Sequence, residues 1–230
     1  MGKQEPNQGP AMKLLCLAAL LGSSAAAQAT ISIYTTQASY LAAVSAPAVD
    51  SFDTLDTALG FLSSPATRSA GPYSYKATVS GSFYILPHSP TDVWLSEFTA
   101  GAVVTLNTFS STVRGVGGYF FNVDGNDAVL PTRSLSIAAT DGGGTTITVF
   151  TNTSDSKFIG FVSNGPITSI ALSVVGATAN TYITMNDITL GAVAAVPEPT
   201  AALLMLLGLA GLLGCGFTPS PSPARGRGQG

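Results

Sequence analysis

The chain has 230 residues, only 9% of them charged, and a net charge of −3. With both apolar ends set aside this leaves about one domain's worth of middle, in which Ser, Thr, Asn and Gly supply the polarity that charge usually supplies, as suits an extracellular setting. Between Thr30 and Val196 there are ten acidic and five basic residues, so there is no basic surface for phosphates and nucleic-acid binding is excluded. Both cysteines, Cys16 and Cys215, lie in the apolar ends, which leaves the middle without a disulfide, a thiolate metal site or a cysteine nucleophile.

Residues 1–11 are polar and contain proline. They read as an upstream extension or as a long n-region ahead of the first apolar run. From Met12-Lys13 the chain passes into the apolar run Leu14 to Leu21 and then into small residues up to Ala29, the order of a secretory signal peptide over residues 12–29. Ala25-Ala26-Ala27 and Ala27-Gln28-Ala29 both satisfy the small-x-small rule, placing cleavage after Ala27 or Ala29. The residues before Cys16 form no small-residue lipobox after a full apolar stretch.

The middle, residues 30–192, opens on Ile31-Ser-Ile33-Tyr34. Thr36 then stands where an N-cap is needed for a short helix over Gln37 to Val44, with Tyr40, Leu41 and Val44 on one face. Everything after reads as β-structure. Alternating apolar positions mark strands at Tyr119, Phe121 and Val123; at Leu135 and Ile137; at Ile147 and Val149; at Ile170, Leu172 and Val174; and at Ile183 and Met185, resuming after a break at Ile188 and Leu190. Turn formers separate them: Gly115 with Gly117-Gly118, Asp124-Gly125-Asn126, Asp141 to Gly144, Asn152 to Ser156, and Asn164-Gly165-Pro166. Strands at this spacing without intervening helices predict an all-β, antiparallel β-sandwich, jelly-roll-like.

Candidate chemistry is sparse. His88, the single histidine, lies among prolines and reads as a solvated loop residue, since no nucleophile elbow accompanies it. Glycoside hydrolysis needs two carboxylates; Glu97 is the one Glu of the domain, and most of the Asp residues sit beside Gly, Asn or Ser, where Asp makes turns. Trp94, with Tyr73, Tyr75 and Tyr84 upstream, can either stack on sugar rings or fill the core, and Trp is usually buried. Asn152-Thr153-Ser154 fits a glycosylation sequon of the kind that occurs by chance in a Thr-rich chain.

After the domain stands Val196-Pro197-Glu198-Pro199, where two prolines impose an extended backbone short of two N–H donors. Ala201 to Phe217 follows without a charge, about 26 Å long as a helix at ~1.5 Å per residue against a hydrocarbon core of ~30 Å. Arg225 and Arg227 come after a Thr218 to Pro223 spacer, and place a cytoplasmic tail over residues 218–230. This order over residues 193–217, with a transmembrane helix at 201–217, resembles the PEP-CTERM sorting signal. The domain's own patterns also resemble those carried by such proteins: Ala38-Ser-Tyr-Leu-Ala42, Ser51-Phe-Asp53, Phe120 to Asp124, Phe158-Ile-Gly-Phe161 and Asn186 to Gly191. The resemblance implies that Val196, Pro197, Glu198 and Pro199 are read by an exosortase, an integral-membrane cysteine peptidase-like enzyme. It also implies an exopolysaccharide-producing Gram-negative host and transient inner-membrane anchoring before release to the surface or matrix.

The function expected from this reading is that of a non-enzymatic cell-surface or extracellular-matrix protein, with extracellular polysaccharide among its partners and no cofactor. A carbohydrate-binding module is the alternative, and a glycan hydrolase using Glu97 the second. The domain resembles jelly-roll carbohydrate-binding modules in outline, and that resemblance implies a structural calcium ion held by Asp53 and Asp187 with the Asn186 amide; Asp124 to Asp127 is the other acidic stretch.

Overall fold

A computed structural model of the chain describes residues 29–176 and 178–193. The expected signal peptide up to residue 28, the motif Val196 to Pro199, the apolar segment 201–217 and residues 218–230 lie outside the described residues. Among the described residues no helix is long and apolar enough to cross a membrane.

The described chain is mostly β, in two antiparallel sheets that face each other as a sandwich, with one short helix. In chain order the elements are β1 (Ile31–Tyr34), α1 (Gln37–Ala43), β2 (Ser45–Asp50), β3 (Phe61–Ser63), β4 (Ala66–Ala70), β5 (Tyr73–Thr78), β6 (Ser82–Ser89), β7 (Asp92–Glu97), β8 (Val104–Asn107), β9 (Gly115–Val123), β10 (Leu135–Asp141), β11 (Gly144–Phe150), β12 (Phe158–Ser163), β13 (Ile167–Val174) and β14 (Tyr182–Ala192). One sheet runs β1-β12-β9-β14-β7-β6-β3, with β2 also paired to β14; the other runs β11-β10-β13-β8-β5-β4.

The turn expected at Gly115 with Gly117-Gly118 does not form: these glycines lie inside β9, where Val44, Phe158 and Ile188 leave no room for a Cβ. Every strand predicted from alternation forms. Its apolar set does not always face the space between the sheets. On β9 the residue turned inward is Phe120, which joins Phe83, Leu95, Met185, Leu106, Ile137 and Leu172 in the main core. Phe121 and Val123 point outward, into a second cluster with Leu86 and Trp94. Ile147 and Val149 are exposed, 68% and 54%. The break expected in the last strand is a register shift between Asn186 and Thr189, with Asp187 in the left-handed region at φ 50°. That is a bulge, and it is what carries the inward alternation from Met185 over to Ile188.

The helix is capped as expected, the Thr36 hydroxyl accepting from the Ser39 amide at 3.3 Å. It ends at Ala43, with Val44 already extended. Leu41, expected on the buried face, is 38% exposed, so the contact is made by Tyr40, 0% exposed, whose hydroxyl donates to the Thr189 carbonyl at 2.9 Å. The helix can lie this close because the strands beneath it carry glycine. A Cβ on Gly115 would come within 2.5 Å of Val44, and one on Gly160 would fall on the Tyr40 ring. Seven residues cannot hold a helix in water by themselves, so α1 exists because Tyr40 is anchored.

A buried carboxylate helps to tie the two sheets together. Asp50, at the end of β2, accepts from Arg68 Nε of β4 at 2.9 Å and from the Tyr75 hydroxyl of β5 at 2.8 Å. A second Arg68 nitrogen reaches its other oxygen, and the guanidinium lies 5.3 Å from the centre of the Phe52 ring.

Candidate functional site

An open cleft of about 200 Å³ lies on the outer face of the eight-stranded sheet. Its floor comes from neighbouring strands whose registers place Tyr84 opposite Ser96, Ser96 opposite Thr184, and Tyr182 opposite Val123. The Ser96 and Thr184 hydroxyls lie 3.0 Å apart and are buried. One wall is the turn after β9. There Asp124 Oδ1 accepts from the amides of Asn126 and Ala128 at 2.8 and 3.0 Å, and the Gly125 amide donates to Asn180 Oδ1 at 3.0 Å. The short side chain of Asp124 holds the turn by mimicking a backbone acceptor, and it sets Asp127 at φ 65° on the rim.

Three aromatic residues, Tyr84, Phe98 and Tyr182, also line the cleft. Phe98 is 57% exposed; its ring meets that of Phe61, which does not itself line the cleft, edge to face at 4.7 Å, and Phe61 leans on Tyr84 at 5.7 Å. Glu97, Asp124 and Asp127 all line the cleft and no cation does, so its potential is negative. Burial, and then the neighbouring Asp124 charge, holds the Asp127 carboxyl above the usual Asp range.

Tyr84, Glu97, Asp124 and Asp127 thus meet in one place, although the sequence raised them for three separate reasons. Phe98, Tyr182 and Ser96 were missed. An isolated Phe after a Glu, and hydroxyls on a strand, carry no local signal of a shared cleft.

Glu97 lines the cleft and is held in place by backbone amides. It is 1% exposed, and its Oε1 accepts from the amides of Ile183 at 3.0 Å and Gly101 at 3.2 Å. It therefore clips the turn after β7 to β14, while its Oε2 has no hydrogen-bond partner. Burial raises its pKa to about 7 against three backbone amides that lower it. A carboxyl whose folded pKa lies above its unfolded value of about 4.5 favours folding while protonated. That contribution is complete below about pH 4.5 and is lost as pH rises to about 7. Discounted for the water that reaches the cleft, the loss is roughly 1–2 kcal/mol. Urea midpoints of the wild type should fall relative to those of Glu97→Gln across that window; parallel curves would show that Glu97 is solvated.

The other candidates settle into structural places. Trp94 is 2% exposed, Tyr75 1% and Tyr73 5%, so none of the three is an exposed sugar platform; only Tyr84 reaches the cleft. The Trp94 indole N–H donates to Asp92 at 3.0 Å, and its ring meets Phe121 edge to face at 4.8 Å. His88 is in β6, not in a loop: its ring stacks on Trp94 at 3.7 Å. The strand tolerates the adjacent Pro87 because β3 pairs only with Ser82 to Tyr84, which leaves the outer edge free of a ladder at Pro87. No described hydrogen bond joins His88 to a serine or a carboxylate. Thr153, the centre of the sequon, is buried, bonded to Asn122 and to the Arg133 carbonyl.

Asp53 and Asp187 do lie close enough to feel each other. Burial, then Asp53, then Asp92, raises the Asp187 pKa. Several of the oxygens are already taken: Asp53 Oδ1 accepts from the Val93 amide at 2.9 Å, Asp92 from Asn186 Nδ2 at 3.1 Å, and Asn186 Oδ1 from the Asp187 amide at 2.9 Å. Among the described residues no three His, Cys, Asp or Glu side chains are grouped to hold a metal ion.

No protein-family model matches the chain. No curated protein matches it either.

Proposed function

We propose that this chain is an exported, non-enzymatic surface or matrix protein whose sandwich, jelly-roll-like in connectivity, binds extracellular polysaccharide in the cleft beside Tyr84 and Phe98. The observation that carries the reading is the cleft itself. Exposed aromatic faces suit the apolar side of a sugar ring, and the carboxylates and hydroxyls beside them suit its O–H groups. One Glu97 oxygen is engaged by two backbone amides, and we read the carboxyl as structural; release of reducing ends from a glucan by the wild type, lost in Glu97→Gln, would overturn that reading. Because the lining is acidic, the glycan should be neutral.

In native gels the full chain should be retarded by a soluble neutral glucan and not by alginate. Phe98→Ala and Tyr84→Ala should each weaken that retardation about three- to tenfold, the size of one lost stacking contact. Retardation by alginate alone, or an unchanged Phe98→Ala variant, would overturn the cleft as a glycan site.

Export and sorting rest on the residues beyond the sandwich. The order Val196-Pro197-Glu198-Pro199, apolar segment, arginines supports an exosortase as processing partner after transient inner-membrane anchoring. Glu198→Ala should then trap the protein in the inner membrane of an exosortase-positive host. Unchanged fractionation and an unchanged C-terminus would remove the sorting mechanism without touching the cleft.

A further inference from the structure

The strands at the ends of the two sheet paths are unequal. β1, β3 and β4 have four, three and five residues, whereas β11 has seven. Soluble proteins keep edge strands short or guard them with charge, proline or a bulge, because an open ladder recruits another strand. From Gly142 to Ser154 there is no charged residue and no proline. The ladder to β10 runs unshifted from Asp141–Gly144 to Leu135–Phe150. The nearest cation, Lys157, donates to the Thr151 carbonyl at 3.4 Å, beyond the last residue of the strand.

The register says which groups are free. The β10–β11 ladder begins at Asp141 and Gly144 across a two-residue turn, so this first pair exchanges both backbone hydrogen bonds. The alternation of an antiparallel ladder then turns the N–H and C=O groups of Thr145, Ile147 and Val149 away from β10. Among the described residues no strand receives them. The same three residues put their side chains on the outer face, where Ile147 and Val149 are the exposed apolar ones. The strand that fits this edge is antiparallel, uncharged and apolar at alternate positions. A second copy of β11 meets every one of those conditions.

We propose that two copies of this chain pair antiparallel along β11, with Thr148 on the twofold axis. In that register Ile147 of each copy stands opposite Val149 of the other, as a hydrogen-bonded pair, and each pair covers apolar surface that the single chain leaves in water. The two six-stranded sheets then continue as one. The inference stands apart from the glycan reading; if both hold, the dimer presents two clefts to one polymer.

A cysteine on the axis tests the register. Thr148 would form a non-hydrogen-bonded pair with its copy, whose Cα atoms lie about 4.5 Å apart, within disulfide reach. In the full chain with Cys16→Ser and Cys215→Ser, Thr148→Cys should give a disulfide-linked dimer on mild oxidation. Thr146→Cys and Val103→Cys should give none. Adding Ile147→Lys and Val149→Lys sets like charges opposite each other and should cut the Thr148→Cys cross-link at least about tenfold. Since both lysines replace exposed side chains, the chain carrying Ile147→Lys and Val149→Lys without the added cysteine should keep the wild-type circular dichroism and should sediment as a smaller species than the wild type. Absence of the Thr148→Cys dimer, equal cross-linking at Thr146 or Val103, or indifference to the two lysines would each overturn the proposal.

Discussion

Asp50→Ala lowers the stability of the sandwich by about 3–5 kcal/mol, the usual cost of removing one partner from a buried ion pair. The carboxylate is 5% exposed and accepts from Arg68 and Tyr75. It stands on β2 of one sheet, and both partners stand on the other. Without it the guanidinium, itself only 14% exposed, keeps its charge against the Phe52 ring with no counter-ion, and the Tyr75 hydroxyl loses its acceptor. Asp50→Asn should recover only part of the loss, because the amide retains shape and a single acceptor but not the charge. Equilibrium urea unfolding at neutral pH measures both variants. A loss below about 1 kcal/mol would place the pair in the class of solvent-screened surface bridges. Replacing Asp50 and Arg68 together by apolar residues of similar volume should cost less than Asp50→Ala alone, since no charge is then left stranded.

Trp94→Ala costs a comparable ~3–5 kcal/mol, the range for deleting a large buried ring. The ring covers Phe121 edge to face and carries His88 on its own face, in a cluster that lies outside the space between the sheets. Its removal opens that cluster to water and leaves Asp92 without the indole donor. Because Trp94 is the one tryptophan of the chain, its emission should be blue-shifted in the folded protein. The emission should also stay unchanged when a neutral glucan is added. A glycan-dependent shift, with little loss of stability in Trp94→Ala, would return Trp94 to the ligand site and overturn its assignment to the core.

What could be read in advance was local. The cap at Thr36, the Asp-Gly turns at 124 and 141, and the strands from Tyr119 onward each depend on a few neighbouring residues, and each formed. From Ser45 to Asn107 the β-character was legible but the individual strands were not. β7, reading Asp-Val-Trp-Leu-Ser-Glu with five of its six residues buried, is covered on both faces, so a period of two leaves no mark on it; β5 and β8 do alternate, but over only six and four residues. His88 was misplaced for a related reason. Proline beside it signals a loop, and only the truncated neighbour β3 makes a strand permissible there.

The sequence by itself determined the class of secondary structure, the Asp-Gly turns at 124 and 141, the scarcity of charge and the absence of thiols from the sandwich. All of these are properties of composition or of residues a few places apart. Only the tertiary structure decided which face of β9 is core, that Trp94 is buried while Phe98 is not, and that Tyr84, Glu97, Asp124 and Tyr182 share one cleft. Alternation is the same whichever face is turned inward. The faces are assigned, and the cleft assembled, by the registers of β6, β7, β9 and β14, where the residues that become neighbours are joined by ladder hydrogen bonds between main-chain groups common to every residue.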